Sequence, residues 1–236
     1  MRKRLLLCLL AAGVLLLGRA GKTSLPASGP AEIPSENRYV ALTFDDGPRR
    51  STTEKLLDGL LERGASATFF VVGEELAGNE DLVERMKNEG HQIGNHTWSH
   101  VRLTGTPNET ALEELGRTDE ALRDILGDGD YWIRPPYGMV EEELESLLQV
   151  PLVKWSVDPK DWESRDTKKV VEAIRENVGH NAIILLHDIY PTSVEAALQM
   201  VDTLQAEGYW FVTVEELLLL NGVTPQPGVM YRSGNP

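Results

Sequence analysis

Short apolar runs alternate with amphipathic stretches from residue 39 onward, and this alternation constrains the fold more than any other feature of the sequence. Seven runs have the length and composition of strands: Tyr39–Phe44, Ala67–Val72, His91–Gly94, Tyr131–Ile133, Leu152–Val157, Ala182–Leu186 and Trp210–Val212. The stretches between them predict helices near residues 54–63, 79–88, 107–126, 141–149, 167–177, 193–206 and 214–220. This order predicts an α/β domain with a parallel sheet, open or closed.

Local signals mark the ends of several elements. Thr106 with Glu109, and Thr213 with Glu216, have the spacing of capping boxes at helix starts. Proline and glycine are frequent after Asn221, so the sequence predicts a disordered tail over residues 223–236. The folded domain is therefore expected over residues 38–222.

The first 37 residues differ in character from the rest of the chain. Residues 2–4 are basic and precede the apolar run Leu5–Leu17, which is short for a membrane span but typical of a signal peptide. Gly18 and Ala20 fit a cleavage site before Gly21. We expect residues 1–20 to be a signal peptide, with an uncleaved N-terminal membrane anchor as the alternative, and residues 21–37 to be a flexible linker. Either leader predicts an exported protein.

Composition narrows the class further. The single cysteine, Cys8, lies in the apolar leader, so the exported domain has no disulfide framework. The formal net charge of −14 disfavours binding to nucleic acid or to anionic lipid. The length suits one globular domain with a sizeable core, and a monomer is the default expectation.

Polar segments follow the predicted strands, and sites in parallel α/β sheets gather at those carboxyl ends. Asp45 and Asp46 end the first strand; neighbouring strand residues point opposite ways, so the two acids should have separate duties unless the backbone turns. His96 and His100 are four residues apart, which on a helical turn places both imidazoles on one face. Two histidines and a carboxylate suit Zn²⁺, Co²⁺ or Ni²⁺ better than Mg²⁺.

Three more segments complete the set. Arg134 precedes two prolines and Tyr137, and its guanidinium can hold a carboxylate with two hydrogen bonds. Asp158, Asp161 and Trp162 follow the fifth strand, and His187 follows the sixth. Each segment alone has a structural explanation, such as a turn or a satisfied core histidine. All five at one edge predict metal-assisted hydrolysis.

Taken in order, the five segments resemble the motifs of the polysaccharide deacetylase family, also called the NodB-homology domain or carbohydrate esterase family four. The matching residues are Thr43-Phe-Asp-Asp-Gly47, His96-Thr-Trp-Ser-His100, Arg134-Pro-Pro-Tyr137, Asp158-Pro-Lys-Asp-Trp162 and Leu185-Leu-His187. The resemblance covers residues 38–221. It implies a distorted (β/α)7 barrel with a single catalytic domain.

The resemblance also implies a role for each residue. Asp46, His96 and His100 would bind the metal, with Zn²⁺ expected and Co²⁺ or Ni²⁺ as alternatives. The remaining assignments are Asp45 as general base, Arg134 as its partner, His187 as general acid, Asp161 as the group that orients it, the Tyr137 backbone as an oxyanion donor, and Trp162 and Leu185 as the substrate-lining wall.

Two enzymatic functions fit these residues, and a binding function is the alternative from another class. The first is removal of N-acetyl groups from an N-acetylhexosamine glycan such as peptidoglycan, which releases acetate and a free amine. The second is hydrolysis of O-acetyl esters on xylan or a similar polysaccharide. The third is a glycan-binding module without activity, which would be expected to have lost a ligand, base or acid; none is lost here.

Overall fold

The structure is a computed structural model that describes residues 38–235. Its strands are β1 Arg38–Asp45, β2 Thr68–Val71, β3 Gln92–Asn95, β4 Leu152–Val153, β5 Ala182–His187, β6 Tyr209–Phe211 and β7 Met230–Tyr231. Its helices are α1 Arg50–Arg63, α2 Glu80–Asn88, α3 Asn108–Leu126, α4 Glu142–Leu147, α5 Asp161–Ser164, α6 Thr167–Asn177, α7 Pro191–Ala206 and α8 Val214–Leu220, with 3-10 turns at Gly73–Glu75 and Pro136–Gly138. The predicted leader and linker lie outside the described residues.

Strand β1 is the centre of a parallel sheet. It pairs with β5 over six residues, which aligns Asp45 with His187. Along its other edge, β6 pairs with the first residues of β1 and β2 with the last, and β3 pairs with β2. The register brings the carboxyl ends of β1, β2, β3 and β5 to one edge, as expected for a parallel α/β sheet.

Isolated bridges close this sheet into a circuit. Asn95 at the end of β3 pairs with Ile133, and Ile133 pairs with Leu152 of β4. The chain then runs on to Val157, which pairs with Ile184 of β5. The α/β prediction with a parallel sheet is confirmed, and the circuit has the connectivity of a distorted barrel.

The barrel is less regular than seven strands would make it. The run Tyr131–Ile133 forms bridges and no regular strand, and the run Leu152–Val157 is regular only over the two residues of β4. Prolines at 135, 136 and 151 flank these runs, and proline lacks the N–H that a strand ladder requires. The predicted strand at Tyr131–Ile133 is therefore wrong, and the predicted strand at Leu152–Val157 is regular only at its first two residues.

The predicted disordered tail is also wrong for the residues that the structure describes. Strand β7 pairs in parallel with β4, and Ser233 forms an antiparallel bridge with Ala182. Gly234 donates its N–H to the carbonyl of Asn181 at 2.8 Å. The edge of β4 provides hydrogen-bond partners for the backbone groups of the tail. The proline and glycine content had suggested that these groups would bond only to water.

The core has two sides because β1 is buried on both faces. Val40, Leu42 and Phe44 pack outward into the larger cluster with α1 and α7, while Ala41 packs inward with residues such as Phe70. The two-residue period of a strand puts Thr43 and Asp45 on the same inward face as Ala41. The strand pattern therefore aims Asp45 into the barrel.

One predicted helix start is confirmed and another is wrong. Thr213 and Glu216 form the capping box at α8. Thr106 caps no helix, because α3 begins at Asn108 and the Thr106 hydroxyl instead donates to the carbonyl of Arg102. Within residues 38–235, no helix is both long and apolar enough to cross a membrane.

Candidate active site

Asp45 is a buried carboxylate held by a buried arginine. Arg134 Nη1 donates to Asp45 Oδ1 and to Thr43 Oγ1, both at 2.7 Å, and the guanidinium lies 4.1 Å from the Phe70 ring centroid. Burial alone would raise the pKa of Asp45, but the charge and hydrogen bond of Arg134 and the nearby imidazoles outweigh it and hold the pKa below its ordinary value. Asp45 is therefore an ionised acceptor over the ordinary pH range.

Asp46 reaches the same space as Asp45 because the backbone turns between them. Its φ of 71° is in the left-handed region, so the alternation of the strand ends there. His96 Nε2 lies 3.6 Å from Asp45 Oδ2 and 3.6 Å from Asp46 Oδ1. The two neighbouring acids thus face one imidazole instead of pointing apart.

His96 and His100 converge through a loop. The helical turn expected for this pair is wrong: β3 ends at Asn95, and Thr97 and His100 have left-handed φ values of 68° and 57°. The ring centroids are still 5.0 Å apart. His96 Nδ1 lies 2.6 Å from the Arg134 carbonyl, which can only accept, so Nδ1 carries the proton and Nε2 is left as a lone-pair donor toward the site.

Asp46, His96 and His100 have the arrangement of a metal site. Their ligand atoms all lie within 4.8 Å of one another. Asp46 Oδ1 is buried and accepts no hydrogen bond from the described residues, although His100 Nε2 is 3.3 Å away. Burial lowers the pKa of His96 despite its acidic neighbours, and the neutral imidazole is the form that binds metals. Two imidazoles and a carboxylate form a donor set that fits a divalent metal ion.

His187 stands across this cluster with a carboxylate behind it. Asp161 accepts from His187 Nδ1 at 2.9 Å and from the His187 backbone N–H at 2.8 Å, and Ser193 Oγ donates to Asp161 at 2.6 Å. Burial lowers the pKa of His187, but the hydrogen bond and charge of Asp161, with Asp45 and Asp46, outweigh it and raise the pKa to about 9. His187 Nε2 lies 4.0 Å from Asp46 Oδ2, so its second nitrogen faces the candidate metal site.

A cavity of about 370 Å³ opens over these groups. Trp162 and Leu185, both predicted to line the substrate, lie on its wall. Tyr137 also lines it, with its ring 5.1 Å from that of His100 and a left-handed φ of 62°. The full lining is Asp45, Asp46, His96, His100, Tyr137, Trp155, Asp158, Trp162, Leu185, His187 and Tyr190.

Sequence reasoning missed several residues of the site. Trp155 and Tyr190 line the cavity, and Ser193 holds Asp161, although none of them belongs to a chemical pattern in the sequence. Asp188 is buried and bonded to Thr53, and burial raises its pKa to about 7. The position of Asp188 directly after His187 was the only signal for it.

Comparison with known proteins identifies the family of this chain. The family model described as polysaccharide deacetylase matches residues 32–150, which is half of the sequence. The chain belongs to the polysaccharide deacetylase family. The match includes the segments that carry Asp45, Asp46, His96, His100 and Arg134.

Relatives of this family cover most of the chain. It is 38% identical over 185 residues to the peptidoglycan-N-acetylmuramic acid deacetylase PdaC of Bacillus subtilis, covering 78% of this chain and 40% of that protein. The chain thus spans about two fifths of the length of this curated relative.

Two solved structures share the fold. A structure described as T48 deacetylase with substrate matches with a TM-score of 0.78 and 40% identity, covering 83% of this chain and 96% of that one. A family 4 acetyl xylan esterase from Clostridium thermocellum, in complex with a cobalt ion, matches with a TM-score of 0.79 and 33% identity, covering 83% and 98%. The α/β fold of this chain is therefore that of the family.

Proposed function

We propose that this protein is a metal-dependent deacetylase that hydrolyses N-acetyl groups on N-acetylhexosamine glycans, with peptidoglycan or a related polymer as substrate. The proposal rests on two groups at one candidate metal site whose pKa values are shifted in opposite directions. Asp45 is held ionised by Arg134, and His187 is held protonated by Asp161. Amide hydrolysis needs one group to take a proton and another to give one.

Asp45 is the proposed base and His187 the proposed acid. Arg134 keeps Asp45 ionised, so its carboxylate is free to accept a proton from the attacking water. His187 donates its Nε2 proton to the departing nitrogen, which would otherwise leave as an unstable anion. Asp161 stays bonded to Nδ1 throughout and keeps the ring oriented. The Tyr137 backbone N–H is proposed to donate to the carbonyl oxygen as negative charge develops on it.

Asp46, His96 and His100 are the proposed metal ligands, with Zn²⁺ as the expected ion and Co²⁺ or Ni²⁺ as alternatives. When bound, the metal supplies a Lewis acid that polarises the acetyl carbonyl. Trp162 and Leu185 are proposed to hold the acetyl group or sugar ring against this site.

Hydrolysis of O-acetyl esters is the second candidate, and the match to an acetyl xylan esterase favours it. The same base would serve, but an alkoxide leaves more easily than an amine anion and depends less on His187. The names of relatives such as PdaC favour the N-acetyl substrate. They also support export to the cell surface, to which a signal peptide or N-terminal anchor would direct the chain. A monomer is the simplest assembly for this activity.

Acetate and amine release from a panel of N- and O-acetylated glycans tests the proposal. With Zn²⁺ or Co²⁺, the protein should release acetate and an equal amount of primary amine from N-acetylated glycans, and a chelator should stop both. Asp202→Asn, a change on the outer surface of α7, is the matched control and should leave the rate unchanged. Acetate release without new amine would replace the proposal with the esterase, and release from no glycan would reject both.

A further inference from the structure

Two cations stand side by side next to the candidate active site. Strand β4 pairs in parallel with β7, with Leu152 beside Met230 and Val153 beside Tyr231. The next residues are Lys154 and Arg232, and Lys154 N–H donates to the Tyr231 carbonyl at 2.7 Å. The register therefore sets two positive side chains next to each other.

These cations line a separate cavity of about 300 Å³. Thr104, Gly138, Met139, Val140, Glu145 and Met230 complete its wall. Lys154, Arg232 and Glu145 are its charged groups, so the lining carries a net charge of about +1. A single carboxylate would balance this charge, whereas a doubly charged phosphate would exceed it.

The pairing of the cations is unfavourable without a ligand. Burial lowers the pKa of Lys154, and the positive charge of Arg232 lowers it further. Like charges on neighbouring strands repel each other, and the sequence as a whole is acidic. Such a local excess of positive charge in a concave place is typical of a site that attracts an anion.

The cavity adjoins the catalytic pocket through shared segments. Tyr137 lines the catalytic pocket, and the next residue, Gly138, lines the second cavity. Likewise, Trp155 lines the catalytic pocket, and the preceding residue, Lys154, lines the second cavity. Lys154 Nζ lies 5.6 Å from the centre of the Trp155 ring. The Lys154 carbonyl also accepts from Arg134 Nη2 at 3.0 Å, so the arginine that holds Asp45 also fixes the backbone of Lys154.

We propose that this second cavity binds a carboxylate carried by the glycan, on a sugar next to the one that loses its acetyl group. The guanidinium of Arg232 and the ammonium of Lys154 would bind the carboxylate oxygens. The inference rests on the proposed deacetylase function and adds that the substrate is an acidic glycan. Binding in this cavity would determine which sugar of the polymer lies in the catalytic pocket.

Calorimetric binding with the zinc-loaded full chain tests this inference. The probes are an N-acetylated oligosaccharide that bears sugar carboxylates and the same oligosaccharide with its carboxylates reduced to alcohols. The native protein should bind the acidic form about tenfold more tightly, and this preference should weaken at high salt. Arg232→Gln should reduce the preference several-fold, Arg232→Lys should keep more of it, and Arg232→Gln with Lys154→Met should abolish it.

Lys168→Met and Arg175→Gln are matched controls, because these cations line a different depression on α6, and they should keep the preference intact. Equal affinity of the native protein for the two probes, or a preference that survives the double change, would overturn the inference. Acetate release from the neutral probe without any preference would reject the cavity and leave the deacetylase standing. Preference lost in the double variant, with no acetate released from either probe, would reject the deacetylase and keep the carboxylate site.

Discussion

Asp161 influences the chemistry of the site without reaching the candidate metal cluster itself. One oxygen accepts from the ring of His187, and the other accepts from the His187 backbone and from Ser193. A fully buried carboxylate with three donors is fixed in place. At the residue scale, the orientation and charge of His187 therefore depend chiefly on this side chain, with Asp45 and Asp46 adding to the effect on charge.

Asp161→Asn should lower kcat by about 10²–10⁴-fold, the usual contribution of a positioned acid or base. His187 must be protonated to donate, so activity falls as pH rises through its pKa of about 9. Asparagine removes the negative charge that raises this pKa, and the alkaline limb of the pH–kcat profile should move to lower pH. Ser193→Ala keeps the negative charge of Asp161 and should leave the alkaline limb near its native position. An unmoved alkaline limb in Asp161→Asn would contradict the account.

His91 predicts a pH dependence of stability that is separate from catalysis. It is buried, its Nδ1 accepts from the Ala67 N–H at 3.1 Å, and burial lowers its pKa to about 4. The unfolded chain, with a pKa near 6.5, binds the proton first, so this contribution to stability is complete above about pH 6.5 and is lost as pH falls toward 4. The loss should reach roughly 2–3 kcal/mol.

Denaturant unfolding at pH 7 and pH 4.5 measures this effect. The fall in the free energy of unfolding between the two pH values should be smaller in His91→Gln than in the native protein. His180→Gln changes an exposed histidine and should behave like the native protein. Equal falls in His91→Gln and in the native protein would show that His91 is not the group responsible.

At the scale of elements, short pieces of backbone matter more than their length suggests. Strands β4 and β7 have two residues each, yet they place Lys154 and Arg232 together and complete the edge of the circuit. Helix α5 has four residues and carries both Asp161 and Trp162. Neither the β4–β7 pair nor α5 could be predicted from hydrophobic periodicity, since two to four residues carry no period.

Deletion of residues 223–236 tests the role of β7. The deletion removes the strand partner of β4 and the bonds to Asn181, so we expect the melting temperature to fall by about 2–8 °C, equivalent to roughly 1–3 kcal/mol. Deletion of Pro236 alone is the control and should have no effect. A melting temperature unchanged by the longer deletion would restore the expectation of a disordered tail.

At the scale of the whole molecule, the sequence predicted the class of fold and the groups that meet at the site. Strand ends and residue types were sufficient to place five side chains at one edge of the predicted sheet: Asp45, His96, Arg134, Asp161 and His187. Left-handed residues in loops and isolated bridges decided the remaining geometry, and these depend on tertiary contacts that a local pattern does not contain. The turn at Asp46 is the clearest case, because strand alternation alone would have sent the two acids apart.

The division of labour between Asp45 and Asp46 is the central claim, and zinc titration of two isosteric variants tests it most directly. Calorimetry should show that Asp45→Asn binds Zn²⁺ within about threefold of the native protein, although its rate of acetate release falls by about 10²–10⁴-fold. Asp46→Asn should lose at least about tenfold in Zn²⁺ affinity, because it removes a ligand. Arg134 is buried against Asp45, so loss of the Asp45 charge is expected to destabilise the fold. Thermal unfolding of both variants therefore serves as the check that each is folded. Loss of Zn²⁺ binding in Asp45→Asn, with binding intact in Asp46→Asn, would contradict the account.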